Sequence, residues 1–281
     1  MAGSSYSDIS SLANAVQEQA LLTAREQAVM AGLVTVFASP NEGNARKVYT
    51  YSSAGTLTQL PETTDLSATA FAPSLLATLT PYVYASQYTL TDMLMASDWN
   101  DTAAMAGRDM GQRLTVDQDT KLAGLFSSFT GGTVGTAGGT LTWDNVFRAR
   151  AHLKAALAPA PYSCVLRPEQ SWELLRVSSG APTLMQSPKF MDDLAGSFYI
   201  GSYGGINFYE DANITAGTAA AAGMFSREAI ALDIRRAPRI EMQRDASLGG
   251  GAWELNFSSV FAYSVYRPTF GVYMIGTTSG T

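Results

Sequence analysis

Asp98–Phe129 reads DWNDTAAMAGRDMGQRLTVDQDTKLAGLFSSF. No proline interrupts these residues, and Trp99, Ala103, Met110, Leu114, Leu125 and Phe129 fall on one side of a 100° wheel, the spacing of an amphipathic helix. Asp101, Arg108, Asp109, Arg113 and Asp119 fall elsewhere, while Asp117, Gln118 and Lys121 interrupt the apolar face and predict a partly exposed middle. At about 1.5 Å per residue the helix would run roughly 48 Å, longer than the ~30 Å of a small compact domain. A helix of that reach suits an elongated, plate-like protein. Gly107 and Gly111 each cost about 1 kcal/mol relative to Ala in a helix interior, and four residues apart they would let another backbone come close.

Upstream, Ile9, Leu12, Val16, Ala20, Ala24, Ala28 and Ala31 recur at helical spacing, with Asp8 to cap the helix and Gly32 to end it. The stripe is narrow and alanine-rich, as expected of a helix lying across another surface. Val34 and Val36 open a short strand, Ser39–Gly43 is a turn cluster, and Lys47–Tyr51 (KVYTY) alternates with Val48 and Thr50 on one face. Thr56–Leu60 alternates again, and a second β stretch runs from Ala77 to Thr89. The two make a long two-stranded excursion with few large aliphatic residues. Such a ribbon is marginal alone in water, and nothing nearby in sequence supplies a core for it. A neighbouring subunit is the natural partner, and folding back on its own domain is the alternative.

Downstream, Thr91–Ser97 reads as a short helix. The glycine run Gly131–Gly139 reads as a flexible linker and boundary. Beyond it a helix at Trp143–Leu157 capped by Thr142, a strand at Tyr162–Leu166 and a helix at Pro168–Val177 are expected. Strands follow at Phe198–Ile200, Ile206–Tyr209, Gly223–Phe225, in two stretches around Pro238, at Trp253–Tyr266 and at Thr269–Ile275. The fold class is α+β.

Composition narrows the function classes. The chain has 281 residues, enough for two subdomains. Only 15 % are charged, against roughly 25 % for an average soluble domain, so much of the surface is expected to be buried against partners. A net charge of −6 argues against a basic nucleic-acid grip. Four lysines against 14 arginines lean toward bidentate protein contacts. A lone cysteine, Cys164, excludes an internal disulfide framework. No apolar stretch approaches the ~20 residues of a membrane helix, and Met1–Asp8 lacks the pattern of a signal peptide. These features predict synthesis in a cytoplasm and no membrane partner.

Catalytic constellations are not found. His152, the single histidine, has no second ligand to share a metal, and Cys164 alternates with Tyr162 and Leu166 as a buried hydrophobe would. There is no G-x-S-x-G elbow or Walker-type phosphate loop. The acid pairs Asp192/Asp193 and Asp117/Asp119 read as solvated surface. No catalytic, cofactor-binding or metal-ligating residue is therefore assigned.

The order of elements carries more than any motif. Thr23–Phe37 (TAREQAVMAGLVTVF) resembles the arm leading into the extended loop of Hong Kong 97-type major capsid proteins of tailed double-stranded-DNA bacteriophages. Gln87–Phe129, with TLTDMLMASDWND followed by AGRDMGQRL, resembles the entry to and body of that family's spine helix. FSREAIALDIRRAPRIEMQRDAS before WELNFSSVFAYSVYRPTFGVYMI resembles its closing region. The resemblance implies an N-terminal arm at 1–35, an extended β loop at 36–88 reaching over an adjacent subunit, a peripheral domain with the spine helix at 89–139 and 226–281, and an axial domain at 140–225. It further implies a structural, non-enzymatic shell protein of the virion. Its copies would form hexamers and pentamers around packaged DNA, with a portal and a decoration protein as further partners. The start at Met1, almost directly on the arm helix, suggests a separate scaffolding protein or none. Arg46, Lys47 and Tyr49 in the loop, and Arg244 and Asp245 near three-fold positions, are the expected subunit contacts. Lys47 lacks a supporting acid and a clear partner asparagine, so a covalent cross-link there is not expected. An encapsulin-like compartment would share the fold. A β-rich hydrolase would instead need a pocket holding Asp192 or Asp193, and a carbohydrate-binding module a groove of exposed aromatics.

Overall fold

In the computed structural model, residues 29–38, 44–51, 59–62, 72–96, 102–176, 199–247 and 250–278 are described. Of the helix expected at 8–31, residues 8–28 lie outside the described residues, and Met30–Leu33 form a short helix of their own, α1, which runs one residue past Gly32. Residues 1–28, the alternating stretch 56–58 and Asp192/Asp193 lie outside the described residues.

Two sheets and one long helix organise the rest. The first sheet has the order β1 (Thr35–Ala38), β10 (Ile230–Asp245), β11 (Ala252–Val265), β4 (Tyr82–Thr91). β10 and β11 form a long antiparallel hairpin, β4 runs antiparallel to β11 and β1 parallel to β10. Pro238 does not split β10 into two strands as the sequence suggested. One strand continues through register shifts at Ile234/Arg236 and Arg236/Arg239, and such irregularities are where a sheet tolerates a residue without an N–H.

The helix α3 (Thr102–Gly124) lies on this sheet. Its buried face is Gly107, Met110, Gly111, Leu114, Thr115, Asp119, Leu122 and Ala123, at spacings of three and four. Met110, Leu114 and Leu122 pack with Leu90, Leu232, Leu255, Phe257 and Phe261. The helix is shorter than the 98–129 expected. Residues 97–101 are outside the described set, and Leu125–Ser128 tighten into a 3-10 turn. With three residues per turn, positions i and i+3 eclipse. Phe126 and Phe129 thereby both reach Phe225, with ring centroids 5.6 and 5.9 Å away.

The second sheet runs β5 (Thr133–Gly135), β12 (Gly271–Gly276), β9 (Ala220–Ser226), β6 (Tyr162–Leu166), β8 (Ile206–Glu210), β7 (Tyr199–Tyr203). Central β6 is buried at every residue, Cys164 included. The glycine run expected as a linker contains β5, paired parallel with β12. Gly131 and Gly135 are there because the chains approach too closely for a side chain. A Cβ on Gly135 would sit 2.1 Å from the Ile275 carbonyl oxygen.

α4 (Trp143–Ala155) packs on this sheet through Trp143, Val146, Ala149 and Leu153. Thr142 caps it as expected, its side chain accepting a hydrogen bond from the Asn145 amide at 3.4 Å. Thr142→Ala is expected to cost about 1 kcal/mol, lowering Tm by roughly 3 °C in a thermal melt.

Candidate assembly surface

β2 (Arg46–Tyr51) and β3 (Pro73–Leu79) form the two-stranded ribbon. It is shorter than the excursion read from the sequence, because β1 and β4 belong to the four-stranded sheet instead. The alternation in β2 sorts its faces as expected, with Val48 and Thr50 half-buried and Lys47, Tyr49 and Tyr51 exposed. The inner face has a core within its own chain. Val48, Leu76 and Ala77 pack with Leu79 on Ala231, Ala262 and Tyr266, on the sheet face opposite α3. A charged cluster ties down the same root. Asp233 is fully buried, with Arg235 at 2.8 Å and Arg46 at 3.6 Å. The Arg46 guanidinium also lies 4.4 Å from the Phe37 ring centroid.

The outer face is more exposed. Tyr49 is 51 % exposed and Tyr51 61 %, with Leu75, also 51 % exposed, directly opposite Tyr49 in the register. Apolar side chains clustered on one face of a ribbon mark an interaction surface more than scattered ones do.

At the far end of the β10–β11 hairpin, Arg244 grips Asp92 with both terminal nitrogens, at 2.6 and 2.5 Å. Its guanidinium lies 5.1 Å from the ring of Trp253, its cross-strand neighbour. The Asp92 amide donates to the Gly251 carbonyl at 3.0 Å, so the start of α2 (Asp92–Ala96) is fastened to the hairpin tip. Asp245 accepts from the Ser247 amide at 2.9 Å and its hydroxyl at 2.6 Å, closing its own turn.

A groove of about 700 Å³ runs between α3 and β4, lined by Tyr84, Ser86, Arg113, Leu114, Val116 and Phe257 among others. Its rim is charge-paired, Asp109 with Arg113 and Asp117 with Lys121. Arg113 and Lys121 lie over the rings of Tyr88 and Tyr84. Burial, reinforced by Tyr263, pushes the Tyr84 hydroxyl up to about 12. An apolar floor with neutralised charges suits a packed protein segment better than a reacting substrate.

The sequence matches no protein-family profile and no curated protein. The structure is similar to several solved ones. One is from Mycobacterium phage Che8, with TM-score 0.70 and 19 % identity over 91 % of this chain and 93 % of the other. Another is the capsid of Ralstonia phage GP4, with TM-score 0.69 and 11 % identity over 89 % and 88 %. A virus-like particle from Pyrococcus furiosus gives TM-score 0.55 and 12 % identity over 92 % and 97 %. This chain has the Hong Kong 97-type capsid fold.

On this Hong Kong 97-type frame the candidate residues are dispersed. Lys47 and Tyr49 face solvent, Arg46 and Arg244 each hold a carboxylate of their own chain, and Asp245 serves its turn. Asp233 and Arg235, and Tyr51 and Leu75, were not singled out in the sequence. The signal for Asp233 was an acid inside the apolar run Ile230–Ile234, two residues before Arg235.

Asp117 and Asp119 do not form a pair, since positions two apart point to different sides of a helix. Asp117 meets Lys121, while Asp119 is buried, which overturns its reading as solvated surface. Cys164 is buried and burial pushes its thiol up, away from the reactive thiolate. His152 is exposed on α4. Among the described residues no group of three His, Cys, Asp or Glu is placed to hold a metal. Nor is any described helix long and apolar enough to cross a membrane.

Proposed function

We propose that this chain is the major capsid protein of a tailed double-stranded-DNA bacteriophage. It is a structural, non-enzymatic building block, and its copies form the hexamers and pentamers of an icosahedral head shell. The observation that carries this reading is the likeness to phage structures, the capsid of Ralstonia phage GP4 among them, over about nine tenths of both chains, joined to an exposed aromatic ribbon face. Shells close by symmetry from repeated contacts, and a ribbon fastened at its root with its outer face exposed is suited to reach a neighbour. Residues 1–35 act as the arm, 36–88 as the extended loop, 89–139 with 226–281 as the peripheral domain and 140–225 as the axial domain. Tyr49 and Lys47 meet the adjacent subunit, with Tyr51 beside them, and Arg46 sets the angle of the ribbon. Arg244 and Asp245 shape the hairpin tip presented near three-fold positions. A separate scaffolding protein, a portal and a decoration protein complete the particle. The chain is made in the host cytoplasm and ends in the virion. A net charge of −6 leaves packaged DNA free of a tight grip by the shell.

The test is expression of the chain, alone and with a candidate scaffolding protein, followed by negative-stain electron microscopy. Closed shells, capsomer rings or tubes support the reading, and a monomer under both conditions contradicts it. Exchanging Tyr49 and Tyr51 for Ser is expected to leave the monomer's Tm within about 3 °C, since exposed substitutions usually stay within ±0.5 kcal/mol each. The same exchange is expected to cut shell yield by at least about tenfold, because each ring removes a contact of the kind that concentrates interface energy.

A second reading, a cellular protein compartment, is favoured by the likeness to the Pyrococcus furiosus particle. It predicts shells that enclose a cargo enzyme and no DNA.

A further inference from the structure

At Val29 the chain meets one buried acid, Asp119, and Asn213 links that acid to a second, Asp211. Met30 and Val34 are fully buried in the core that α3 shares with the four-stranded sheet. The Val29 amide donates to Asp119 Oδ2 at 3.3 Å, and Asn213 Nδ2 donates to the same oxygen at 3.5 Å. Asp211, in the loop after β8, accepts from the Asn213 amide at 2.8 Å. Asp119 is 0 % exposed and Asp211 1 %. Asp119 Oδ1 and Asp211 Oδ2 have no hydrogen-bond partner among the described residues. Two carboxylates enclosed together, each with an unsatisfied oxygen, cannot both carry charge cheaply.

We propose that Asp119 and Asp211 form a proton-operated seat for the junction at residues 29–34. With one proton on the pair the junction docks firmly, and with both acids ionised its hold weakens.

The electrostatics agree in direction. Burial, with the Asp211 charge added, pushes the Asp119 carboxyl up to about 7, against the pull of the Val29 and Met30 amides and Asn213. Burial also raises Asp211, opposed by Asn213 and Arg167. The charged groups around the seat come from three sides. Arg167 donates to the carbonyls of Ala212 and Ile214 and pairs with Glu169 at 2.7 Å. Arg227, after β9, donates to the Val34 carbonyl at 3.3 Å. On α3 itself Asp117 and Lys121 pair with each other. Once undocked and hydrated, a carboxyl returns toward the usual value of about 4. Docking therefore takes up a proton. The hold is complete below about pH 4, is lost as pH rises toward about 7, and changes little above that.

The test is hydrogen exchange of the full chain at pH 5.5 and 7.5, read on peptides covering 29–34 and corrected for intrinsic exchange rates. Size-exclusion chromatography checks that the assembly state is the same at both pH values. A one-proton equilibrium changes by up to about tenfold per pH unit in this window, so protection is expected to fall by roughly tenfold or more. Asp119→Asn and Asp211→Asn are expected to flatten the dependence, and the second variant serves if the first fails to fold. Equal protection at both pH values, greater protection at pH 7.5, or an unchanged slope in the folded variants overturns the proposal. Restoration at pH 7.5 by calcium or magnesium, with loss at pH 5.5 after chelation, would also overturn it and make the pair a cation site. The readout belongs to the single chain, so the result stands whether or not the chain builds a shell.

Discussion

Asp233→Ala is expected to lower the melting temperature by about 10 °C. Asp233 is fully buried on the sheet face beneath the ribbon, opposite Phe37 of β1 and Ala262 of β11 in the register. Its carboxylate stands between Arg235, itself only 3 % exposed, and Arg46. Removing the acid takes the neutralising charge from a buried guanidinium, a change that costs about 3–5 kcal/mol. In a protein of this size each kcal/mol is roughly 3 °C. The change also cuts one of the two attachments of the ribbon root, so limited proteolysis between β2 and β3 is expected to quicken. Arg46→Ala separates the two effects. The Arg46 side chain is 34 % exposed, so its loss costs about 1 kcal/mol at most, while the ribbon is loosened as much. A melt of Asp233→Ala within about 2 °C of the parent would show that the cluster is not what holds the ribbon.

Gly135→Ala comes next in size. Gly135 has φ +82° and its β12 partner in the register is Ile275. A methyl there would stand 2.1 Å from the Ile275 carbonyl oxygen and 3.2 Å from Leu141 Cδ2. A backbone carbonyl in a paired strand has little room to move. Left-handed backbone costs a non-glycine residue about 1–2 kcal/mol and overpacking about 1–3 kcal/mol more. Gly138 is the control, with φ +77° but nothing within 4 Å of its would-be Cβ. Gly138→Ala should therefore show only the backbone part. Thermal melts of the two variants measure the difference, and equal losses would mean that the close approach of β5 to β12 does not matter.

The same glycine run shows where reading the sequence stops. GGTVGTAGG has the composition of a linker, and nothing local separates a glycine chosen for flexibility from one chosen because a strand 140 residues later lies against it. Pro238 misled in the opposite direction. A proline predicts a break, yet the hairpin partner β11 absorbs it through register shifts. In α3, Met110 and Leu114 were legible as core, because burial follows the helical period. Asp119 was not legible, because its partners Val29 and Asn213 lie 90 and 94 residues away. Of the candidate contact residues, Lys47 and Tyr49 were placed on the exposed face by alternation alone. Arg46 and Arg244 found carboxylates in their own chain that no spacing announced.

By itself the sequence determined most of the elements and their faces. It set which residues wind into α3, which side of KVYTY turns inward, that Thr142 starts a helix, and that the strand around Cys164 is buried. These are properties of a repeating backbone, whose periods of two and 3.6 residues are written within a few neighbouring positions. The Hong Kong 97-type architecture was legible only through the resemblance of the order of those elements to a known family. Only the tertiary structure decided that β4 joins the sheet rather than the ribbon, that the ribbon has a root in its own chain, and that Asp119 shares its enclosure with Asp211. Those outcomes depend on which distant segments touch. In a close-packed interior, contact is settled by shape, hydrogen bonding and charge neutralisation across the whole molecule, and no local pattern encodes it.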